Sequence, residues 1–459
     1  MVISPQMSTG LSAVRRRTFG TLPYAVALLL AGSIGLLSAS ANAATKYLLT
    51  AALDSITSDE LYQHVEVLAD DVYEGRYAGS RGGRAASQYI VNELRNYNLI
   101  PAGTDGEYLQ VFDDDWRNIL VLHPGDDPEL EQEIIVVGAH YDHVGRGTTD
   151  NSYGPTGRIH NGADDNASGV SVMLETIEAL AVSRLRTRRS ILFAFWDGEE
   201  RGLKGSRHWL ARPTLPADRV KLAITIDMVG RLRDGQLYVL GSRSGYGMRR
   251  LFSGPIEEPL WLDFDWEISA NSDHWPFLER RVPVALLHTG LHRDYHRPSD
   301  DAEKVNREGM REVSRYLVGM LMKAGNEDRL PAFREQVRRE TDRTQQQLER
   351  PLPRMSLRSW PSNKERPRLG VSWREDKAEP GSVFLTRVVD GSPAAAAKLA
   401  VHDRVYELNG EPFVDAAAFQ LMIKKALDEG APELEFLIER RGHLRTINVP
   451  MPSSQQAAD

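Results

Sequence analysis

The chain has 459 residues, of which 41% are hydrophobic and 26% are charged, and its formal net charge is −8. These values lie close to globular averages, so they exclude bulk disorder and leave room for two or three domains. The acidic balance gives no sign of a nucleic-acid partner. Cysteine is absent, which excludes disulfides, thiolate metal sites and cysteine nucleophiles. Any metal must therefore be held by histidine, aspartate and glutamate.

The first 43 residues are typical of a secretory signal peptide. Residues 15–17 are arginines, residues 22–37 are almost wholly apolar or small, and residues 41–43 match the pattern that signal peptidase cleaves. We expect an exported chain, periplasmic or secreted, that starts at Ala44, carries a formal charge of −11 and keeps no stable membrane anchor. An uncleaved anchor is the alternative, but the apolar run is short for a span. The arginine pair also resembles a twin-arginine signal, so the export route stays open.

Residues 45–325 predict an α/β domain. Apolar residues recur at helical spacing in four segments, which predicts helices at Asp59–Asp70, Arg84–Tyr97, Gly169–Leu180 and Arg307–Ala324. Continuous apolar runs predict buried strands at Ile134–Ala139, Ile191–Trp196, Leu222–Ile226 and Val282–Leu287. Strands that alternate with helices indicate a mixed, mostly parallel sheet sandwiched by helices.

The remainder of the chain predicts a linker and a second domain. Residues 326–366 are rich in Arg, Glu, Gln and Pro, which predicts a linker that could be partly helical, and we interpret their charge as a solvated surface rather than a binding site. Residues 367–452 contain short β-like runs with glycine turns, which predicts a small, mainly β domain. Residues 453–459 predict a loose tail.

Acids and histidines follow the buried strands of the first domain. They are His140 and Asp142, then Asp164 and Asp165, then Glu199 and Glu200, then Asp227, and finally Asp294, Tyr295 and His296. Ligands in open α/β sheets bind beyond the carboxyl ends of the strands, so we expect these side chains to meet. Two histidines and three acids could hold two zinc ions if one carboxylate bridges them. In the glutamate pair, one carboxylate could ligate metal while its neighbour takes a proton from water. In His140-x-Asp142, a carboxylate could orient a ligating histidine.

Seven segments then match a known family in order: residues 74–80, 106–110, 139–143, 162–169, 199–206, 272–274 and 295–300. Across roughly Asp59 to Asn306 the chain resembles the co-catalytic di-zinc aminopeptidases of the bacterial leucyl-aminopeptidase type. That family of zinc exopeptidases also includes glutamate carboxypeptidases and glutaminyl cyclases. Each segment alone is a weak signal, but seven in order are specific.

The resemblance implies a role for each matching residue. His140 and Asp227 would bind one zinc ion, Glu200 and His296 would bind the other, and Asp165 would bridge them. Glu199 would be the general base, and Tyr295 could hydrogen-bond the oxyanion of the tetrahedral intermediate. Asp142 and Asp273 would support the ligands. Alternatives remain for four residues: Asp164 as the bridge, Asp227 as a cap, Glu199 as a supporting group and Tyr295 as packing. For the nearby histidines at positions 143, 160, 274, 288 and 292 we expect structural or surface roles.

The second domain resembles a PDZ domain over most of Leu369–Pro450. Residues 370–373 would form the peptide-binding loop and strand, residues 391–395 the first helix entry, residues 403–410 a strand and turn, and residues 416–427 the second helix. The resemblance implies capture of a peptide C-terminus at a sheet edge, with a purely structural module as the alternative. Lys398 and His402 depart from the pattern, because such domains often carry glycine there.

The resulting hypothesis is an aminopeptidase that removes N-terminal, apolar residues from peptides by attack of zinc-bound hydroxide. A di-zinc carboxypeptidase or dipeptidase of the same fold is the alternative, and a clustered arginine pocket would favour it. A mono-zinc cyclase is disfavoured because both sets of metal ligands are present. In the remaining alternative, a non-catalytic protein binds peptides through its PDZ domain.

Overall fold

The computed structural model describes residues 43–113, 115–254, 259–363, 365 and 368–451. The predicted signal peptide, apart from residue 43, and the tail predicted at 453–459 lie outside the described residues. The described residues fall into two units, residues 43–48 and residues 49–451. In the first unit the described residues are helical, and all that follows concerns the second. Among the described residues, no helix combines the length and the apolar character needed to cross a membrane.

Nine of the described strands form the sheet of the first domain, residues 49–326. They are β1 (Ile100–Pro101), β2 (Leu109–Phe112), β3 (Trp116–His123), β4 (Ile134–His140), β5 (Ser190–Trp196), β6 (Val220–Ile226), β7 (Gln236–Leu240), β8 (Trp261–Asp263) and β9 (Val284–His288). Their order is β1-β3-β5-β4-β6-β9-β7-β8, with β2 also paired to β3. The four central strands β5, β4, β6 and β9 are parallel, and antiparallel pairs flank them. The predicted mixed sheet is confirmed.

Helices cover this sheet. Those of the first domain are α1 (Ser58–Leu68), α2 (Arg81–Leu94), α3 (Gly169–Ser183), α4 (Lys204–Ala211), α5 (Met248–Phe252), α6 (His274–Glu279) and α7 (Arg307–Asn326), and residues 49–55 are also helical. Every residue of β4 and β5 is buried, as expected for strands covered on both faces. Trp209 and Phe277 pack on one face together with Trp196 of β5. The predicted helices all exist, with ends that differ by a few residues; α2 begins at Arg81 because the Ser80 hydroxyl accepts a hydrogen bond from Gly83 N.

A second, antiparallel sheet forms the domain over residues 368–451. Its strands are β10 (Val371–Glu375), β11 (Val383–Val388), β12 (Arg404–Leu408), β13 (Glu411–Pro412), β14 (Glu433–Arg440) and β15 (His443–Pro450), with helices α9 (Pro393–Ala396) and α10 (Ala416–Asp428). Lys398 and His402 adopt φ of 65° and 76°, the left-handed region that favours glycine. These two departures from the PDZ pattern therefore keep the backbone that glycine would supply.

The segment between the domains is not simply a solvated surface. It contains the helix α8 (Asp342–Glu349), and Arg334 is only 5% exposed. Arg334 Nη1 donates to Glu340 Oε2 at 2.6 Å, and Glu340 also accepts from Arg243 of the first domain at 2.9 Å. The expectation of a purely solvated linker is thus wrong at these positions, because its charges pair with residues distant in sequence that composition cannot reveal.

Candidate metal centre

The five residues predicted as metal ligands converge at the carboxyl edge of the central sheet. His140 ends β4, Glu200 follows β5, Asp227 follows β6, Asp165 lies just before α3, and His296 lies in the loop after β9. Their potential ligand atoms fall into two groups, and within each group the atoms lie within 4.8 Å of one another. The structure therefore brings all five together, and their ligand roles stay a prediction.

Asp165 belongs to both groups through different carboxylate oxygens. Its Oδ1 lies 3.4 Å from His140 Nε2, and its Oδ2 lies 3.1 Å from His296 Nε2. Asp227 Oδ1 lies 3.5 Å from His140 Nε2, while Glu200 Oε1 lies 3.2 Å from His296 Nε2. One carboxylate thus faces two separate sets of donors, as a bridging ligand between paired ions does.

The donor set fits zinc. Imidazole nitrogens and carboxylate oxygens are usual zinc ligands, and donors about 2.0 Å from a tetrahedral ion lie about 3.3 Å from one another. The four separations given above, from 3.1 to 3.5 Å, match that spacing. Asp165 Oδ2 is buried and makes no hydrogen bond of acceptable geometry to any described residue, although His296 Nε2 is close. A buried carboxylate oxygen that lies close to another potential ligand atom without a hydrogen bond is suited to bind a cation together with that atom.

Electrostatics in the cluster also favour a cation. Burial and the nearby Glu200 carboxylate raise the pKa of Glu199 well above its usual range, although His140 opposes the shift. Burial alone would lower the pKa of His296, but contacts with Asp165 and Glu200 raise it to about 11. The rise at His296, and the contribution of Glu200 to the rise at Glu199, indicate negative charge that a divalent ion would offset.

Asp142 holds the glutamate pair in place. Its carboxylate accepts hydrogen bonds from the backbone N–H of Glu199 at 3.0 Å and of Glu200 at 3.4 Å. His140 Nδ1 lies 3.1 Å from the backbone oxygen of Asp142 and 3.8 Å from its carboxylate. The nearer contact to the histidine is thus the backbone oxygen of Asp142, while the carboxylate of Asp142 accepts the hydrogen bonds from the two glutamates.

Two tyrosines lie beside the cluster. The Tyr295 ring centroid is 4.0 Å from that of His296. Burial and then the Asp165 and Glu200 carboxylates raise the pKa of Tyr295 far above its usual value. Its hydroxyl therefore stays protonated and able to donate. Tyr153, which sequence analysis did not single out, stacks on His296 with centroids 5.6 Å apart and is 62% exposed.

A buried arginine ties the ligand-bearing loops together. Arg76 is fully buried and donates to the carbonyl oxygens of Tyr141 at 2.8 Å, Asn161 at 2.6 Å, Gly162 at 2.8 Å and Leu68 at 2.7 Å. Burial lowers its pKa to about 10, so the guanidinium remains charged near neutral pH. Its motif was part of the family resemblance, but a motif does not show where a side chain points.

Asp164, the alternative bridge, faces away from the ligand groups. Its Oδ2 lies 3.0 Å from His292 Nε2, and its backbone N–H donates to Asp300 Oδ2 at 2.9 Å. Asp300 Oδ2 also accepts from the backbone N–H of Asp165 at 3.1 Å, and Asp300 Oδ1 accepts from Arg231 Nη2 at 3.1 Å. These contacts assign Asp164 to the support of the loop and favour Asp165 as the bridge.

The segment before α6 supports Asp227. The Ser272 hydroxyl donates to Asp227 Oδ2 at 2.6 Å. The predicted supporting residue Asp273 is buried and accepts a hydrogen bond from the Ser206 hydroxyl. Burial raises the pKa of Asp273 to about 6 and lowers that of His274 to about 4. Ser272, rather than Asp273, is thus the residue of this motif that touches a predicted ligand.

For His143 we expected a structural or surface role, and the structure shows that it lies buried beside the predicted ligands. It is fully buried, and its Nδ1 lies 3.0 Å from Glu200 Oε1 and 3.6 Å from Asp165 Oδ2. It belongs to the same group of potential ligands as His296. Sequence analysis missed it because the direction of a side chain in the turn after β4 cannot be read from the pattern.

Comparisons with known proteins agree with this description. Residues 118–321 match peptidase family M28, and residues 360–438 match the PDZ domain. Leupeptin-inactivating enzyme 1 of Streptomyces exfoliatus is 30% identical over 193 residues, which cover 41% of this chain and 38% of that protein. A probable leucine aminopeptidase of Trichophyton verrucosum is 24% identical over 279 residues, which cover 58% of this chain and 73% of that protein. The solved structure of BSAP, a zinc aminopeptidase from Bacillus subtilis, aligns with a TM-score of 0.44 and 16% identity over 60% of this chain and 96% of that one.

The histidines and carboxylates at the carboxyl edge of this largely parallel sheet suit a metal site, and the match to a peptidase family suits a metal-dependent peptidase. Over residues 118–321 the chain is similar to peptidase family M28, and over residues 360–438 it is similar to the PDZ domain. We call residues 49–326 the peptidase domain and residues 368–451 the PDZ domain.

Proposed function

We propose that this protein is an aminopeptidase that uses two zinc ions to release N-terminal, apolar residues from peptides. The observation that carries the proposal is the position of Asp165, whose two carboxylate oxygens face two different sets of donors. A single ion would need only one of these sets. The names of the relatives, which include leucine aminopeptidases, support the reaction at the N-terminus.

Zinc, when bound, lowers the pKa of a bound water so that a nucleophile forms near neutral pH. Glu199 would accept the proton of that water and pass it to the leaving amine. Its backbone is fixed by the Asp142 carboxylate, and the glutamate beside it is left to ligate metal. Tyr295 would donate a hydrogen bond to the oxyanion of the tetrahedral intermediate. Its protonated hydroxyl beside the His296 ring supports this role.

A basic cavity makes a carboxypeptidase or dipeptidase the second candidate. The cavity has a volume of about 580 Å³, and its lining includes the cationic residues Arg231, Arg233, Arg293 and Lys304. Three of these side chains already have partners within the protein. Arg231 pairs with Asp300, Lys304 pairs with Asp294, and Arg233 donates hydrogen bonds to backbone carbonyls. We therefore place the aminopeptidase first, because a substrate carboxylate would compete with these internal partners.

Hydrolysis of a leucyl-anilide substrate by the purified mature chain tests the proposal. We expect turnover that chelator abolishes, that zinc restores and that Glu199→Ala removes. Glu66→Ala, which changes an exposed glutamate on α1, is the matched control and should leave turnover unchanged. A zinc-loaded, folded protein that releases only C-terminal residues from N-acetylated peptides would instead establish the carboxypeptidase.

We also propose that the protein is exported and works in the periplasm or outside the cell, on the basis of the signal-like residues 1–43. Peptide substrates would reach the peptidase domain, and a peptide C-terminus would bind the PDZ domain along β10. β10 lies at the end of its sheet, and Gly370, just before it, has φ of 88°. The mass of the exported protein tests the first point, since cleavage would give a chain that begins at Ala44.

A further inference from the structure

We propose that His143 is a fourth protein ligand of one zinc ion, together with Asp165, Glu200 and His296. The ion at this four-residue group would be enclosed by protein side chains. The ion at the three-residue group would keep an open position. This inference rests on the proposed zinc site. It adds that the two ions would have different numbers of protein ligands, four and three, which the five predicted ligands do not imply.

The distances around His143 fit a shared ion. Its Nδ1 lies 3.0 Å from Glu200 Oε1 and 3.6 Å from Asp165 Oδ2. His296 Nε2 lies 3.2 Å and 3.1 Å from the same two oxygens. Donors of a tetrahedral zinc ion lie about 3.3 Å apart, so all four separations agree with four donors around one centre.

The orientation of the imidazole supports the same conclusion. The rings of His143 and His296 meet edge to face, at 84° with centroids 5.6 Å apart. Each ring has one nitrogen within 3.6 Å of both the Glu200 and the Asp165 carboxylates. His143 Nε2 has no hydrogen-bond partner within the described part of the chain. The polar contacts found for the ring are therefore those with Glu200 and Asp165.

The surrounding backbone is built to hold this ring. Gly162 has φ of 58°, and a Cβ at that position would lie 2.5 Å from His143 Cδ2 and 2.6 Å from Cγ. Only glycine therefore leaves room for the imidazole. The backbone N–H of His143 donates to the Arg76 carbonyl at 3.3 Å, and the Arg76 guanidinium donates to the Gly162 carbonyl at 2.8 Å. One arginine thus joins the histidine to the glycine that accommodates it.

The second group differs in the number of its side chains. It contains His140, Asp165 and Asp227, which is three donors. Structural zinc sites are closed by four protein ligands, whereas catalytic sites keep three and leave a position for water or substrate. The group with His143 would therefore bind its ion more tightly. The ion at the group with His140 would keep a coordination position for water or substrate. Glu199, next to Glu200, would serve that open position.

Zinc binding to the metal-free mature chain tests the inference without reference to activity. The affinities of both sites are measured by competition with a chromophoric chelator for wild type, His143→Gln and His123→Gln. His123 is another buried histidine, 3% exposed on β3, and it belongs to neither ligand group. We expect the tighter affinity to fall by more than about 100-fold in His143→Gln, because even supporting residues change metal affinity by about 10–100-fold. The weaker affinity, and both affinities of His123→Gln, should change by less than about threefold.

X-ray absorption on wild type with one equivalent of zinc provides a second measurement that does not depend on a variant. Two imidazoles at the first ion support the inference, because the other group offers only one. A single imidazole, or unchanged affinities in His143→Gln, would overturn it. A wild-type protein that binds zinc as expected but does not hydrolyse peptides would contradict the proposed function only. A wild-type protein that binds no zinc would contradict both.

Discussion

Arg243 Nη1 donates to Asp376 Oδ2 at 2.7 Å, which joins the turn after β7 in the peptidase domain to the PDZ domain. The two side chains are 7% and 1% exposed. Arg243 also donates to both carboxylate oxygens of Glu340 at 2.9 Å and covers the Trp266 ring, with Cζ 3.4 Å from its centroid. On the PDZ side, Arg404 Nη1 lies 3.1 Å from the same Asp376 oxygen. The domains therefore meet through a buried charge network that also includes the linker.

Removing Arg243 should destabilise this junction strongly. Arg243→Ala leaves the carboxylates of Asp376 and Glu340 buried with one cation fewer, and breaking a buried pair in this way costs about 3–5 kcal/mol. Thermal unfolding of the mature chain measures the effect. Arg207→Ala is the control, because Arg207 pairs with Glu279 at 2.8 Å on the surface, where such pairs are worth about 0–1 kcal/mol. Equal changes in melting temperature for Arg243→Ala and Arg207→Ala would show that the junction contributes little to stability.

Acid should weaken the same junction. Burial alone would raise the pKa of Asp376, but Arg404 and Arg243 lower it well below its usual range. The Asp376 carboxylate therefore binds a proton less tightly in the folded state than in the unfolded chain, where aspartates titrate near pH 3.9. The resulting stability is present above about pH 4 and is lost as the pH falls below it. We expect the melting temperature of Asp376→Asn to be lower at pH 7 and to fall less between pH 5 and pH 3 than that of wild type. If the melting temperatures of the two proteins fall equally between pH 5 and pH 3, Asp376 does not cause the acid sensitivity.

Arg76 should be needed for both stability and metal binding. Arg76→Met leaves several buried carbonyl oxygens without a donor, and each such loss costs about 1–3 kcal/mol, so the total should exceed about 3 kcal/mol. Arg76→Lys should recover part of it, because a lysine can satisfy some of these acceptors. Chemical denaturation and zinc titration provide the two readouts. Arg81→Met removes an arginine whose side chain is 71% exposed and should change neither.

Tyr295→Phe should slow the reaction without weakening binding. If the hydroxyl donates to the oxyanion, its removal lowers kcat by about 100-fold while KM and zinc affinity change only slightly. Steady-state kinetics with a leucyl-anilide measures the two constants. Tyr153→Phe removes the hydroxyl of the exposed tyrosine that stacks on His296 and should have little effect. A raised KM with an unchanged kcat would assign Tyr295 to packing.

The sequence alone located most of the candidate site. The runs before His140, Asp227 and the Glu199–Glu200 pair are apolar and rich in β-branched or aromatic residues, and such runs form strands that must be buried. Polar residues that follow buried parallel strands lie at one edge of a sheet, so their convergence could be predicted. The choice of Asp165 over Asp164, and of His296 as a ligand, required the family resemblance, because these residues lie in loops whose course periodicity does not describe.

The tertiary structure decided which side chains touch. His143 follows His140 by three residues, yet only the folded turn directs its ring towards Glu200 and Asp165. Arg243 and Asp376 are 133 residues apart, and nothing in their local sequence indicates that they pair. Periodicity and composition report whether a segment is buried, because burial depends on the residues of that segment. The partner of a buried charge depends on how distant segments pack, and that packing is set by the whole chain.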